Sequence, residues 1–158
     1  MRIIKTDGGN KDFYNLCKKL DDSLNENVSG RTNSGINSLY NIDQIKDVFL
    51  MYDGERAIGS IALWYHDDKT CEIMRVFVEE DYRGQGIAGQ LVNMVLELAV
   101  EKGYKDIHLR TWSSTPYSLR AYEKLGFHMI KSYQYADKFH KALPFGHLRV
   151  YMKKGLLL

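Results

Sequence analysis

A glycine-rich turn in the middle of the chain has the composition of an anion-binding site. It lies between an apolar strand and an amphipathic helix and reads Tyr82-Arg83-Gly84-Gln85-Gly86-Ile87-Ala88-Gly89. The glycines at positions 84 and 86 lack a Cβ atom where the chain turns sharply, so consecutive backbone N–H groups are able to point at one ligand. The start of the next helix adds unpaired N–H groups and the positive end of the helix dipole. A phosphate or pyrophosphate is the ligand that such a turn predicts.

The elements on either side of this turn predict a crossover between two parallel strands. Thr70–Val78 is rich in apolar residues and predicts a strand. Apolar residues from Ile87 to Ala99 recur at helical spacing, and Gly103 supplies a stop. A further strand is predicted over Asp106–Thr111. A strand, helix, strand order implies a right-handed crossover and a parallel pairing.

The remaining segments predict a mixed α/β fold in which most strands are antiparallel. Apolar residues at helical or alternating spacing, separated by turn residues, mark each element. Asp53-Gly54-Glu55 predicts a hairpin turn between two strands, and Pro116 and Gly126 mark the start and the stop of the last helix. Helices are predicted over 13–24, 41–47 and 116–125, with Asn10 or Asp12 as the cap of the first, and strands over 48–52, 57–65, 128–135 and 147–152.

The composition is that of one ordinary globular domain. The 158 residues are 44% hydrophobic and 27% charged, and a single domain over residues 1–158 is expected. A net charge of +2 argues against a nucleic-acid-binding protein. Cys17 and Cys71 fit neither a disulfide framework nor a metal site, and we find no signal peptide or membrane span. We therefore expect a soluble cytoplasmic protein without a bound metal or a membrane partner.

Three motifs in a fixed order resemble those of a known enzyme superfamily. Glu72-Ile73 and Val76-Phe77-Val78 lie in the strand, Arg83-x-x-Gly86-x-Ala88 forms the turn, and Tyr122-Glu123-Lys124-Leu125-Gly126-Phe127 follows about 40 residues later. Together they resemble the GNAT superfamily of acyl-CoA-dependent N-acetyltransferases over nearly the whole chain. The resemblance implies a GNAT-like mixed α/β fold. Its central sheet is mostly antiparallel with one splayed parallel pair, and helices flank both faces.

The same resemblance implies that acetyl-CoA is the acyl donor. It would lie in a split between the strand that ends near Val78 and the strand at Asp106–Thr111. Many members place an asparagine seven residues before the motif tyrosine; here Thr115 occupies that position, so either Thr115 or Ser118 replaces its contact or the contact is absent. Arg83 either adds charge or shapes the turn. The implied cofactor-binding residues are Phe77 and Val78 at the pantetheine, Arg83, Gly84, Gln85, Gly86, Ile87 and Ala88 at the pyrophosphate, and Thr115 and Ser118.

Acetyl transfer from a thioester to an amine requires a base, an acid and a backbone N–H for the oxyanion. By resemblance, Glu72 is the candidate base, acting directly or through a water, with a solvated strand glutamate as the alternative. Tyr122 is the candidate acid near the cofactor sulfur, with an ordinary core tyrosine as the alternative. Strand alternation predicts that Glu72 and Met74 share one face and that Arg75 and Phe77 share the other.

The acceptor is the least specified part of this interpretation. A primary amine of a small molecule or a peptide is expected. Acidic residues of the first helix either attract a cationic amine or form an ordinary solvated face, and aromatic residues near two loops are candidates for a pocket. These residues are Asp21, Asp22 and Glu26, and Tyr40, Tyr133, Tyr135 and Phe139.

Other classes of function are compatible with parts of the sequence. A domain of the same fold with weak or lost catalysis would bind acyl-CoA as a sensor or bind a partner protein. Gly84-x-Gly86-x-x-Gly89 also fits a dinucleotide-binding pattern, but a polar segment and antiparallel strands precede it, which argues against a Rossmann fold. The leucines at 156–158 suit either a homodimer contact or a loose tail.

Overall fold

The computed structural model describes residues 1–27, 41–112, 116–131 and 149–156. The predicted helices and strands occur in the predicted order, and the mixed α/β class is confirmed. The helix predicted over 41–47 is present only as a short 3₁₀ helix. Two short 3₁₀ helices, Ile42–Gln44 and Glu80–Tyr82, lie between them. The strands are β1 (Arg2–Thr6), β2 (Asp47–Asp53), β3 (Arg56–Tyr65), β4 (Cys71–Val78), β5 (Asp106–Trp112), β6 (His128–Ile130) and β7 (Arg149–Gly155), and the helices are α1 (Lys11–Asn27), α2 (Ile87–Glu101) and α3 (Pro116–Lys124).

The chain divides into two compact units. Unit 1 consists of Met1–Trp64 and Met74–Val95, and unit 2 consists of Tyr65–Ile73 and Leu96–Leu158. Strand β4 contributes its last five residues to unit 1 and its first three to unit 2. The expected single domain over the whole chain stays a prediction.

The strand order in unit 1 is β1-β2-β3-β4. Strands β1 and β2 are antiparallel from Arg2↔Tyr52 to Thr6↔Val48, and β2 and β3 are antiparallel around the predicted hairpin. Sequence reasoning missed β1 altogether. Its five residues, at the edge of the sheet and half-exposed, contain only two apolar side chains, which is too short a pattern to indicate a strand.

A hydrophobic core joins α1 to the strands of unit 1. The Asn10 side chain caps α1, because its Oδ1 accepts hydrogen bonds from the N–H groups of Asp12 at 2.9 Å and Phe13 at 3.1 Å. Ile42 and Ile45 are buried, as predicted. The buried residues of this cluster are Phe13, Leu16, Cys17, Ile42, Ile45, Val48, Leu50, Tyr52, Ala62 and Phe77.

Strand β4 changes its facing pattern at Arg75, and the predicted alternation is wrong there. Arg75 has a φ of 58°, in the left-handed region that non-glycine residues seldom adopt. Met74 and Phe77 consequently pack against the same core cluster, although alternation placed them on opposite faces. The Ser60 hydroxyl donates a hydrogen bond to the Arg75 carbonyl oxygen at 2.9 Å, and the Arg75 guanidinium pairs with Asp21 at 2.8 Å. These contacts hold the unusual conformation in place.

The strand order in unit 2 is β4-β5-β7-β6. The parallel pairing is confirmed at Glu72↔His108 and Ile73↔Leu109. Strand β7 lies between β5 and β6 and is antiparallel to both. It continues to Gly155, three residues beyond the predicted end, and the predicted end of β6 lies outside the described residues. Among the helices that the structure describes, none is long and apolar enough to cross a membrane.

Candidate active site

The glycine-rich turn of unit 1 has the backbone conformation that its sequence predicts. Gly84 and Gly86 have φ angles of 77° and 79°, in the region that favours glycine. A Cβ atom at either position would meet no heavy atom within 4 Å, so the backbone angle rather than crowding requires glycine. The N–H of Gln90 donates to the Gly86 carbonyl oxygen at 3.1 Å. The N–H groups before Gln90 in α2 therefore have no acceptor within the helix and suit an anion.

Arg83 holds the start of this turn against the end of β4. Its Nε donates a hydrogen bond to the Val78 carbonyl oxygen at 3.0 Å, and its guanidinium carbon lies 5.9 Å from the centroid of the Phe77 ring. Of the two roles considered for Arg83, these contacts are those of a residue that shapes the turn. Because the arginine side chain is exposed, it also brings positive charge to the same place.

The segment that leads into the turn is fixed by ion pairs on the surface of unit 1. Arg56 pairs with both carboxylate oxygens of Asp81, at 3.0 and 3.3 Å, and Lys19 pairs with Glu79. The hydroxyl of Tyr82 donates to Asp53 at 2.8 Å. The Arg56 pairing lowers the pKa of Asp81. Of the three acidic residues before the turn, Glu79 and Asp81 therefore have a cationic partner.

Several predicted cofactor-binding residues also pack the interior of unit 1. Phe77 is 8% exposed and Ile87 is 2% exposed, whereas Val78 and Ala88 are half-buried and Gln85 is exposed. Sequence reasoning overlooked Gly59 on β3. A Cβ atom there would lie 3.3 Å from both the Ile87 side chain and the Phe77 carbonyl oxygen. The signal was present, because a lone glycine inside a strand marks a close approach by another backbone or side chain.

In unit 2, Glu72 is the centre of a buried polar cluster. The residue is 2% exposed, which rules out the alternative of a solvated strand glutamate. Its Oε1 lies 2.9 Å from Nε2 of His66, and its Oε2 accepts a hydrogen bond from Nε of Arg110 at 2.8 Å. Sequence reasoning missed both partners. No local pattern indicates them, since His66 follows β3 and Arg110 belongs to β5.

The C-terminal stop of α3 at Gly126 and Phe127 fixes the position of Tyr122. Its carbonyl oxygen accepts a hydrogen bond from the N–H of Phe127 at 3.0 Å, and the N–H of Gly126 donates to the Glu123 carbonyl at 3.0 Å. With a φ of 91° at Gly126, this is a Schellman motif. The rings of Tyr122 and Phe127 meet edge to face at 5.9 Å. The Tyr-x-x-x-Gly-Phe spacing is therefore a helix stop that also fixes the tyrosine.

Burial raises the pKa of the Tyr122 hydroxyl to about 12. A phenol with so high a pKa stays protonated at neutral pH and is able to act as a proton donor. Ser118 lies on α3 and is half-buried, whereas Thr115 lies outside the described residues. The predicted contact of the pantetheine arm at positions 115 and 118 stays a prediction.

The two candidate acidic residues of α1 that the structure describes fully differ in their environment. Asp21 is buried against Arg75, so its charge is already compensated, and Asp22 is exposed. Burial raises the pKa values of Cys17 and Cys71 to about 12, so both thiols stay protonated and are poor nucleophiles. Among the described residues no group of three His, Cys, Asp or Glu side chains is arranged to hold a metal ion. The side chains of Glu26, Tyr40, Tyr133, Tyr135 and Phe139 lie outside the described residues.

Comparison with known proteins gives one family and one fold. Residues 19–127 match the model of the acetyltransferase (GNAT) family. Mycothiol acetyltransferase of Corynebacterium efficiens is 32% identical over 92 residues, which cover 58% of this chain and 31% of that protein. The chain spans about a quarter to a third of the length of the curated relatives that it matches. The dinucleotide-binding alternative is wrong, because the family match covers the same turn.

Two solved structures show the same fold at low sequence identity. A GNAT-family acetyltransferase from Staphylococcus aureus Mu50 superposes with a TM-score of 0.75 at 20% identity and covers 99% of both chains. A GNAT-family acetyltransferase from Elizabethkingia anophelis with acetyl-CoA bound gives a TM-score of 0.67 at 21% identity, over 98% of this chain and 97% of that one. At these identities the likeness is one of fold.

Proposed function

The chain belongs to the GNAT family of acetyltransferases, and from this premise we propose that it transfers an acetyl group from acetyl-CoA to a primary amine. The amine is carried by a small molecule or a peptide, and it attacks the thioester directly in a ternary complex. The observation that carries this proposal is the turn before α2. There, two left-handed glycines precede helix N–H groups that have no acceptor within the helix.

Within unit 1, the turn is proposed to bind the pyrophosphate of acetyl-CoA. The first N–H groups of α2 and the positive end of its dipole favour a doubly charged group at this place. Arg83 adds a positive charge close by while it holds the turn through Val78. The proposed contacts are Arg83, Gly84, Gln85, Gly86, Ile87 and Ala88 at the pyrophosphate, Phe77 and Val78 at the pantetheine, and Thr115 or Ser118 further along it.

Within unit 2, Glu72 and Tyr122 are proposed to handle the protons of the reaction. A protonated amine has to lose a proton before it attacks, and the buried cluster around Glu72 is the proposed place for that proton. The departing thiolate takes a proton from the Tyr122 hydroxyl, whose high pKa keeps it protonated until it is needed. No metal takes part in this proposal.

The acceptor and the setting are proposed only as classes. The relative from Corynebacterium efficiens is named for mycothiol and a human relative for N-acetylaspartate, so the relatives' names point to different acceptors. A cytoplasmic location stays a proposal. A homodimer through the C-terminal leucines also stays a prediction. Of these leucines, Leu156 belongs to unit 2, where its N–H donates to the Lys105 carbonyl oxygen at 2.8 Å.

The test combines turnover with binding. Release of free CoA from acetyl-CoA is measured across a panel of small amines and peptides, and calorimetry measures acetyl-CoA binding. An Arg83→Ala, Gly86→Trp double variant is expected to lose binding, because a large side chain fills the anion site. Gly89→Ala is the matched control, since its Cβ atom would meet nothing within 4 Å and its φ is not positive.

Each outcome has a definite meaning. Turnover on some amine, with binding lost only in the double variant, supports both the reaction and the site. Binding without turnover on any amine favours the acyl-CoA sensor instead. Wild-type protein that does not bind acetyl-CoA contradicts the proposal.

A further inference from the structure

We propose that Glu79 positions the glycine-rich turn for acetyl-CoA through its ion pair with Lys19. This inference rests on the proposed binding of acetyl-CoA and names the residue that orients the turn. Glu79 is the residue at which the chain leaves the sheet, because β4 ends at Val78 and the 3₁₀ helix Glu80–Tyr82 follows. It is buried, whereas the next residue, Glu80, is exposed. A glutamate is seldom buried unless its charge is paired.

The backbone of Glu79 joins the sheet to the start of the turn. Its N–H donates a hydrogen bond to the Ile58 carbonyl oxygen of β3 at 2.9 Å, and its own carbonyl oxygen accepts one from the N–H of Tyr82 at 2.9 Å. The N–H of Arg83 donates to the Glu80 carbonyl oxygen at 3.3 Å. Glu79 thus contacts β3 on one side and the 3₁₀ helix on the other, so a rotation of its backbone would redirect the turn.

The side chain of Glu79 opposes such a rotation. Its Oε1 accepts a hydrogen bond from the Lys19 ammonium of α1 and lies 3.9 Å from Nη2 of Arg56 on β3. The Glu79 side chain is 11% exposed, so water and salt screen this pairing less than they screen the pair of Arg56 and Asp81. Residues of α1 and β3 belong to the hydrophobic core of unit 1. The carboxylate therefore ties the turn to two elements that are themselves fixed.

A cavity beside this ion pair indicates that packing alone does not hold the Glu79 side chain. The cavity has a volume of about 220 Å³, and its walls include Asn15 and Leu16 of α1, Ala57 of β3, and both Lys19 and Glu79. A side chain next to an open space keeps its place only while a specific contact holds it. The ion pair supplies that contact, so breaking it gives the carboxylate and the backbone that carries it room to move.

Two effects of removing the Glu79 charge predict opposite changes in acetyl-CoA binding. By charge alone, the loss of a carboxylate close to an anion site strengthens binding of the anion, and the same loss at Glu80 does so equally. By position, the loss at Glu79 weakens binding, because a turn that is not held has to be ordered when the ligand binds. Glu80 is therefore the matched control for charge.

The first test compares Glu79→Gln with Glu80→Gln. Glu79→Gln is expected to weaken acetyl-CoA binding about 5-fold in calorimetry and to raise the KM for acetyl-CoA by the same factor. Its kcat should change by less than about twofold, since the groups proposed to handle protons belong to unit 2. Glu80→Gln should bind at least as tightly as wild type. A Glu79→Gln affinity equal to or above that of wild type would overturn the inference, and so would a fall in kcat without a change in affinity.

The second test breaks the same pair from its exposed end. The Lys19 side chain is 52% exposed, so Lys19→Met is expected to fold even if Glu79→Gln does not. It should weaken binding about as much as Glu79→Gln, and the double variant should weaken it no further, because both changes remove one interaction. Lys18→Met, which removes the same charge from an exposed neighbouring residue, and Lys19→Arg, which keeps it, should bind like wild type. Equal losses in Lys19→Met and Lys18→Met, or additive losses in the double variant, would contradict the positioning role.

Hydrogen exchange followed by mass spectrometry tests the position of the turn without acetyl-CoA. Peptides that cover residues 79–90 are expected to exchange faster in Lys19→Met than in wild type or Lys18→Met. Equal exchange in the three proteins would overturn the inference. All of these failures leave acetyl-CoA binding by the wild type intact. Wild-type protein that does not bind acetyl-CoA instead overturns the proposed function, and the positioning role with it.

Discussion

The glycine-rich turn of unit 1 and the Glu72 cluster of unit 2 are built in opposite ways. The turn offers backbone N–H groups, and its eight residues are contiguous, with the four from Arg83 to Gly86 exposed. The cluster offers side chains, is almost fully buried, and gathers His66, Glu72 and Arg110 from three separate segments. The difference teaches that a backbone site depends on a few dihedral angles, whereas a side-chain site depends on the integrity of the surrounding fold.

The largest expected effect is a loss of stability when the Glu72 cluster is broken. Glu72→Ala leaves Arg110 and His66 buried without their carboxylate, and removing one partner of a buried ion pair costs about 3–5 kcal/mol in the free energy of unfolding. Urea denaturation followed by circular dichroism measures this change in the free energy of unfolding. Asp81→Ala, which removes the carboxylate of an exposed ion pair, is the control and should leave the free energy of unfolding close to that of wild type. Equal losses in the two variants would break the comparison.

Tyr122→Phe is expected to affect chemistry without affecting stability. It deletes one proton and keeps the ring that packs on Phe127, so kcat should fall about 10²-fold while the free energy of unfolding changes by less than about 1 kcal/mol. Because the pKa of Tyr122 is raised to about 12, wild-type turnover should show no alkaline loss from this group until the pH approaches 12. Turnover of the variant near the wild-type value would exclude Tyr122 as the acid.

Gly86→Ala tests the turn by its backbone alone. With a φ of 79° at this position, an alanine costs about 1–2 kcal/mol, and weaker binding of acetyl-CoA should accompany the loss. Calorimetry and urea denaturation measure the two effects. Gly89→Ala, three residues later inside α2, should instead stabilise the protein by about 0.5–1 kcal/mol and leave binding unchanged. If both alanines behaved alike, the dihedral angle would not be what the site depends on.

The smallest expected effect is on the ion pairs that lead into the turn. The side chains of Arg56 and Asp81 are 50% and 62% exposed, so water and salt screen their attraction. Arg56→Gln should therefore weaken acetyl-CoA binding by less than about threefold, and the difference should vanish in high salt. Arg56→Lys is the matched control, because it keeps the charge. A large, salt-independent loss would show that this segment contributes more than electrostatic support.

The same contrast explains how far sequence reasoning reached. The turn and α2 were predictable because glycine spacing and helical periodicity are local signals, and the positive φ angles of Gly84 and Gly86 agree with the predicted sharp turn. Glu72 was found on its strand, but its burial and its partners depend on the β4–β5 pairing, which a single sequence does not specify residue by residue. The left-handed Arg75 was unpredictable, because arginine has no preference for that conformation and Ser60 and Asp21 stabilise it from other elements.

The helix stop at Gly126 ties the direction of the Tyr122 hydroxyl to the phase of a helix. Each residue of an α-helix advances its side chain by about 100° around the axis. Because Phe127 and Gly126 hold the last turn of α3, an insertion between Pro116 and Tyr122 leaves the tyrosine in place and rotates the residues before it. An insertion between Tyr122 and Gly126 swings the hydroxyl to another side of the helix. The spacing from Tyr122 to Gly126 thus fixes on which side of α3 the tyrosine lies, whatever the length of the helix before it.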